Sequence, residues 1–254
     1  MNTKMGYQLS SIAPYLDTQQ NIRESFKKLS EIGYCDVQLQ GVPMKIEDLA
    51  ISEALKEAGL NCVATQEDYP FGFGENPERS IARAVQCGAE YLSFALIPRG
   101  INSISTLEDF AVKVNKIAEK VQKEGMIFAF HPIGYDFRNI DGRPVYERLL
   151  DLLPRSVKLT FCVSAAHSED VDPLSILKKY TGRIDLVHFK DDAPISGGKR
   201  HLVPLGQGTH DWAPILEACN RAGVQYVFAE QESWTKDAFE CAMDSYDYLK
   251  SLGL

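Results

Sequence analysis

Four segments of the chain end in a residue that can hold a metal or a proton: Phe128-Ala-Phe-His131, Val157-Lys-Leu-Thr-Phe-Cys162, Ile184-Asp-Leu-Val-His188 and Val224-Gln-Tyr-Val-Phe-Ala-Glu230. Each is a short apolar run of the kind that forms a buried parallel strand. Each places its reactive residue at the C-terminal end, where α/β barrels gather their chemistry. Within the third run, His188 lies between Val187 and Phe189, so it faces away from both and shares a face with Lys190. A lysine turned into a barrel interior demands a partner. Glu230 finishes a buried run and is costly there unless used or paired, and a salt bridge to Lys190 would satisfy it. His131 precedes Pro132, which forces an extended exit from the strand, so it either holds substrate hydroxyls or caps the loop. Cys162 is either a ligand or a buried thiol, the commonest fate of a lone cysteine on an apolar strand.

The elements that must carry these residues are marked by glycines. Gly33, Gly59, Gly88, Gly125, Gly182 and Gly223 each follow an amphipathic stretch and precede a run rich in β-branched or aromatic residues, as helix-terminating glycines do. The spacing predicts strands near 5–9, 35–39, 60–65, 91–96, 126–131, 157–162, 184–189 and 224–230. Helices are predicted near 18–31, 46–58, 77–87, 106–124, 142–153, 173–180, 211–222 and 235–251. Thr106, Asp172 before Pro173, and Asp211 read as helix starts. Eight alternating units imply a parallel sheet closed into a (β/α)8 TIM barrel, one domain over 1–254. The longest loops follow strands, and 190–210, with Gly197-Gly198-Lys199-Arg200-His201, reads as a mobile lid or a plain solvated loop. His167, His201 and His210 fall in loops and are expected in solvent. A turn before Asp211 accounts for Gly206 and Gly208, and Trp212 and Trp234 are expected to pack in the core or at the rim.

Composition narrows the classes. The 254 residues are 44% hydrophobic and 24% charged, which suits a large globular core. A net charge of -8 gives no whole-chain attraction for nucleic acid or anionic membrane. The first residues lack the apolar core of a secretory signal, and no apolar stretch approaches the ~18 residues of a membrane span. The six cysteines are scattered without a C-x-x-C pair, as in reduced intracellular proteins, so a cytoplasmic location is expected.

From about Phe128 onward the chain resembles the xylose-isomerase-like TIM barrels, the sugar phosphate isomerase/epimerase family. Arg183-Ile-Asp-Leu-Val-His188-Phe-Lys190-Asp191 is similar to its R-I-x-x-V-H-x-K-D strand, and Gly206-Gln-Gly208-Thr-His-Asp211-Trp212 to G-E-G-x-x-D-W. Ala222-Gly223-Val224 with Ala229-Glu230-Gln231-Glu232 resembles A-G-V…V-E-Q-D, and Tyr248-Leu-Lys-Ser-Leu-Gly253 the closing Y-L-K-x-L-G helix. The resemblance implies a divalent metal at the barrel mouth held by Glu, Asp, His and Glu. Here those positions are Asp136, Cys162, His188 and Glu230, so two depart from the pattern, and Gln66 stands where many relatives carry a strand-end histidine. Sulfur in place of a carboxylate discourages Mg²⁺ and Mn²⁺ and suits Zn²⁺ or Fe²⁺.

The implied activity is isomerisation or epimerisation, or a related elimination, of a small polyhydroxylated carbonyl compound, free or phosphorylated, by proton removal beside the carbonyl. Glu230 and Asp136 would be the acid/base pair, Lys190 with His188 or the metal would stabilise the oxyanion, and His131, Lys190 and Glu232 would hold the substrate. The alternative is a sugar-binding barrel that has lost catalysis along with its metal site. The abasic-site DNA endonucleases of the same superfamily are a poor match, because they need three zinc ions and many histidines, and this chain has five. Homo-oligomerisation stays open.

Overall fold

The computed structural model describes residues 3–195 and 200–254. Among them, eight parallel strands close into a barrel: β1 Lys4–Gln8, β2 Asp36–Leu39, β3 Asn61–Asp68, β4 Tyr91–Ala95, β5 Ile127–His131, β6 Lys158–Cys162, β7 Ile184–Phe189 and β8 Tyr226–Ala229. Each pairs with its neighbour in sequence. The ring closes where β8 returns to β1, with Met5 beside Val227 and Tyr7 beside Ala229. Helices α1 Gln19–Ile32, α2 Asp48–Ala58, α3 Pro77–Gln86, α4 Ile104–Lys123, α5 Val145–Leu152, α6 Pro173–Lys179, α7 Trp212–Ala222 and α8 Ala238–Ser251 follow the strands in turn. The expected eight strand–helix pairs are therefore present, with ends displaced by a few residues.

Local chemistry sets those ends. Asp172 caps α6 as its sequence indicates, its carboxylate accepting from the amides of Leu174 and Ser175. Helix α4 starts earlier than Thr106. Ser103 is its cap, accepting from the Thr106 amide at 3.2 Å, while the Thr106 hydroxyl accepts from the Ser103 amide at 3.1 Å. Gly33 ends α1 with φ +120°, where a Cβ would meet the Tyr246 hydroxyl at 2.5 Å, so only glycine fits.

The apolar core lies between the outer strand faces and the helices, with Phe26, Leu55, Phe94, Phe128, Phe130, Phe161, Phe189 and Val227 among its members. Phe94 and Phe130, on adjacent strands, stack at 4.8 Å, a contact worth roughly 0.5–1.5 kcal/mol beyond burial. Inside the barrel, Val63, Ala64, Tyr91, Leu186, Tyr226 and Phe228 form a second cluster. Asp185 joins it, paired to Lys158 at 3.0 Å. This filled interior leaves the C-terminal end as the place where a ligand can enter.

Several connections carry structure of their own. Val163–His167 forms a short helix, and Asn139–Ile140 pairs with Arg143–Pro144. The described part of the predicted lid is an antiparallel hairpin, Asp191–Pro194 against Arg200–Val203, while Gly197, Gly198 and Lys199 lie outside the described residues. The buried Asp191 carboxylate anchors the turn between this hairpin and α7. It accepts from the amides of Gly206 at 3.0 Å and Gly208 at 3.1 Å and from the Trp212 indole at 2.9 Å. The two glycines thus cradle an internal carboxylate rather than only turning the chain.

Candidate active site at the barrel mouth

Alternate residues of a barrel strand face inward, and register decides which of them meet. Cys162 lies beside His188 and His188 beside Phe228 across β6, β7 and β8. Two residues beyond Phe228, Glu230 therefore projects over the same interior. His188 Nδ1 is 3.3 Å from Glu230 Oε2, and Lys190 Nζ is 3.3 Å from that oxygen and 2.6 Å from Glu232 Oε2. Ser10 donates to Glu230 Oε1 at 3.4 Å. Next to it, the Gln231 amide donates to the Ser11 hydroxyl at 2.8 Å, tying the end of β8 to the segment after β1.

Glu230 is only 5% exposed. Burial alone would protonate it, but the Lys190 ammonium holds its carboxyl well below the usual range. Burial likewise opposes the charge of Lys190, and the Glu230 and Glu232 carboxylates outweigh it, so the ammonium stays protonated. Burial keeps the His131 imidazole neutral, well below its ordinary value. The Cys162 thiol is pushed up to about 12 by burial.

His131, Cys162 and His188 each offer a ligand atom, and these lie within 4.8 Å of one another. The two imidazoles meet edge to face at 4.5 Å. Both ring nitrogens of His131, Nδ1 of His188 and Oε2 of Glu230 are buried without a hydrogen-bond partner. Each orphaned ring nitrogen costs about 1–3 kcal/mol, and a cation among them would relieve several at once, while Glu230 Oε2 has the Lys190 ammonium at 3.3 Å. Two imidazoles and a thiol fit Zn²⁺ or Fe²⁺ and are a poor match for Mn²⁺. A metal there would have to displace the Cys162 proton.

Asp136 is not brought to this cluster. Its Oδ1 accepts from the Ile97 amide at 3.1 Å and its Oδ2 from the Ile133 amide at 3.2 Å. The first of these braces the turn after β4, where Leu96 takes the left-handed conformation at φ +67°. Glu232 stands at the rim, half-exposed and bound to Lys190. His210 is not solvated as expected. Its side chain is 6% exposed and its ring packs against His167 at 4.7 Å and Trp212 at 5.1 Å.

A cavity of about 260 Å³ opens above the cluster, lined by Gln40, Gln66, Asp68, His131, Cys162, Lys190, Glu230 and Glu232 among others. Gln40, Gln66 and Asp68 also line a neighbouring hollow of about 230 Å³ over β1–β3, whose rim carries the exposed ring of Phe71. Either hollow alone is smaller than the ~300 Å³ at which small-molecule sites begin, and joined they exceed it. Gln8, Gln38, Gln40 and Asp68 were the residues that reading for metal ligands passed over, and Gln66 entered it only as a departure from the family pattern. Their signal is present all the same: Gln8, Gln38 and Gln66 sit at or near the ends of the first three strands, and Asp68 shares the face of Gln66.

Comparison with known proteins agrees with the architecture. A family profile described as xylose isomerase-like TIM barrel matches residues 26–252. An inosose dehydratase of Lacticaseibacillus casei is 26% identical over 160 residues, covering 56% of this chain and 53% of that protein, so the match spans about half the length of that relative. A sugar phosphate isomerase/epimerase from Parabacteroides distasonis ATCC 8503 superposes with TM-score 0.83 at 19% identity, covering 99% of this chain and 94% of the other. A 3-keto-D-glucoside 4-epimerase from E. coli superposes with TM-score 0.74 at 16% identity, over 98% and 100% of the two chains.

Proposed function

We propose, taking as premise that this chain belongs to the xylose isomerase-like TIM-barrel family, that it is an isomerase or epimerase of a small polyhydroxylated carbonyl compound, a sugar or sugar phosphate, built as one barrel domain. The observation that carries this reading is the buried, ionised Glu230 held 3.3 Å from the Lys190 ammonium at the floor of a polar cavity. Removing a proton beside a carbonyl needs a base at the carbon and positive charge at the oxygen, and this pair supplies both.

In the proposed step Glu230 takes the proton, the C–H electrons move into the carbonyl, and Lys190 receives the developing oxyanion. As the ammonium turns to the substrate oxygen, less of its charge stabilises the Glu230 carboxylate, so the base strengthens when it is needed. Reprotonation at the neighbouring carbon gives isomerisation, at the opposite face epimerisation, and loss of a β-hydroxyl gives elimination. Glu232, and His131 where no ion is bound, would hold hydroxyls. Asp68, on the facing wall with its carboxyl raised by burial, suits a second acid/base better than Asp136, whose oxygens are engaged by backbone amides. A divalent ion, Zn²⁺ or Fe²⁺ before Mn²⁺, would be held by His131, Cys162 and His188 with Glu230 alongside, and would polarise the carbonyl as a Lewis acid.

The test is solvent deuterium incorporation into a panel of ketoses and keto-sugars. Glu230→Gln should lower it by about 10²–10⁴-fold while the circular dichroism shows the barrel still folded, with a lower melting midpoint because Lys190 loses its buried counter-charge. Undiminished exchange removes Glu230 as the base. The second reading, a sugar-binding barrel without catalysis, is favoured by one observation: the Cys162 thiol stays protonated near neutrality unless a metal displaces its proton. Purified protein that contains no metal and exchanges no substrate deuterium, with or without added Zn²⁺, would support it.

A further inference from the structure

Four glutamines from β1, from β2 and the residue just beyond it, and from β3 close a ring of hydrogen bonds beneath the mouth. Gln8 Nε2 donates to Gln38 Oε1 at 3.3 Å and to Gln40 Oε1 at 3.0 Å, Gln38 Nε2 donates to Gln66 Oε1 at 3.4 Å, and Gln66 Nε2 donates to Gln40 Oε1 at 3.0 Å. Gln8 and Gln38 are fully buried and Gln66 nearly so. Turning one amide alone breaks the ring. A reversed Gln38 would set nitrogen against Gln8 nitrogen and oxygen against Gln66 oxygen. Reversing all four restores the count but leaves the buried Gln8 nitrogen with unspent hydrogens, where at present only its oxygen lacks a partner. Buried unpaired N–H groups are rarer and costlier than under-used carbonyl oxygens, so the ring has a direction.

That direction reaches the catalytic cluster. Gln38 Oε1 stands 2.6 Å from His188 Nε2, and an amide oxygen can only accept. We infer that Gln38, fixed by the glutamine ring, is a positioning residue that keeps the His188 proton on Nε2 and so presents Nδ1 as a bare lone pair to Glu230, His131 and Cys162. This tautomer accounts for His188 Nδ1 and Glu230 Oε2 facing each other at 3.3 Å without a hydrogen bond. In this tautomer no hydrogen lies between them, and the gap is open to a cation. The arrangement is that of a ligating histidine whose other nitrogen is pinned from behind. The positioning role matters for catalysis only if the mouth is the active site, as proposed above, but its test does not depend on that reading.

The experiment is long-range ¹H–¹⁵N correlation on histidine-labelled protein near pH 8, with the His188 signals identified by their loss in His188→Asn. Wild type should show a pyrrole-type Nε2 and a pyridine-type Nδ1. In Gln38→Met, which removes the acceptor at similar volume, the Nδ1–H form should become the major species, donating to Glu230. A wild-type His188 protonated on Nδ1, or on both nitrogens, overturns the inference, and so does an unchanged spectrum in Gln38→Met. If Gln38→Met does not fold, the wild-type spectrum decides alone. Loss of deuterium exchange in Glu230→Gln together with a wild-type Nδ1–H tautomer would leave the proposed function standing and this inference refuted.

Discussion

Asp136 shows how a carboxylate can sit near an active site and serve the backbone instead. Burial pushes its carboxyl up to about 7, although the Ile133 and Ile97 amides and Arg138 pull the other way. An aspartate titrates near ~3.9 in the unfolded chain. The folded state therefore binds this proton more tightly, and the stability it confers is full below about pH 4 and is lost as pH rises through about 7. The unfolding free energy from urea titrations should fall between pH 5 and pH 7.5 by at most about 1.4 kcal/mol per pH unit from this group. Asp136→Asn should flatten that part of the profile, and an unchanged slope in the variant would mean that Asp136 is ionised in the fold throughout. The sequence presented Asp136 as a carboxylate in a loop after β5. It could not show that the loop would turn both oxygens onto amides, because that depends on Leu96 and Ile97 meeting it from another strand.

At the scale of elements, the connection from β7 to α7 hangs on one side chain. A Cβ on Gly208 would meet Asp191 Oδ1 at 2.0 Å, so Gly208→Ala must expel the carboxylate from its cradle and leave the Trp212 indole and the Gly206 amide unpaired. The expected cost is about 2–4 kcal/mol, read as a lower urea midpoint, with faster amide exchange in the 200–212 segment. A variant as stable as wild type would show that the cradle is replaceable. Strands and helices were legible from the chain because hydrophobic period and glycine stops are local signals. So were His131, Cys162, His188, Lys190 and Glu230, since each follows from its place on an alternating strand. What escaped were contacts that side chains make only once the backbone has folded: the glutamine ring, the Asp191 cradle, and the burial of His210 against His167 and Trp212.

For the molecule as a whole, the orphaned donors make ion binding a stability measurement. Zn²⁺ at about a hundred times its dissociation constant should add ~2.7 kcal/mol and raise the melting midpoint by roughly 5–10 °C. A chelator should reverse the shift, and Cys162→Ser should remove most of it; an equal shift in the variant would place the ion elsewhere. Among the described residues no helix is long and apolar enough to cross a membrane, and the net charge of -8 gives no whole-chain attraction for nucleic acid.

The seam between β8 and β1 makes the reaction centre a product of ring closure. The proposed base arrives on the last strand, is steadied by Ser10 and Ser11 from the first turn of the chain, and faces a histidine oriented from β2. A chain halted before residue 226 would own the soft donors yet lack the carboxylate and its counter-surface. Such pairings, over two hundred residues apart in sequence, are expected to form slowly, so regained turnover during refolding should lag behind regained helicity and report the moment the cylinder shuts.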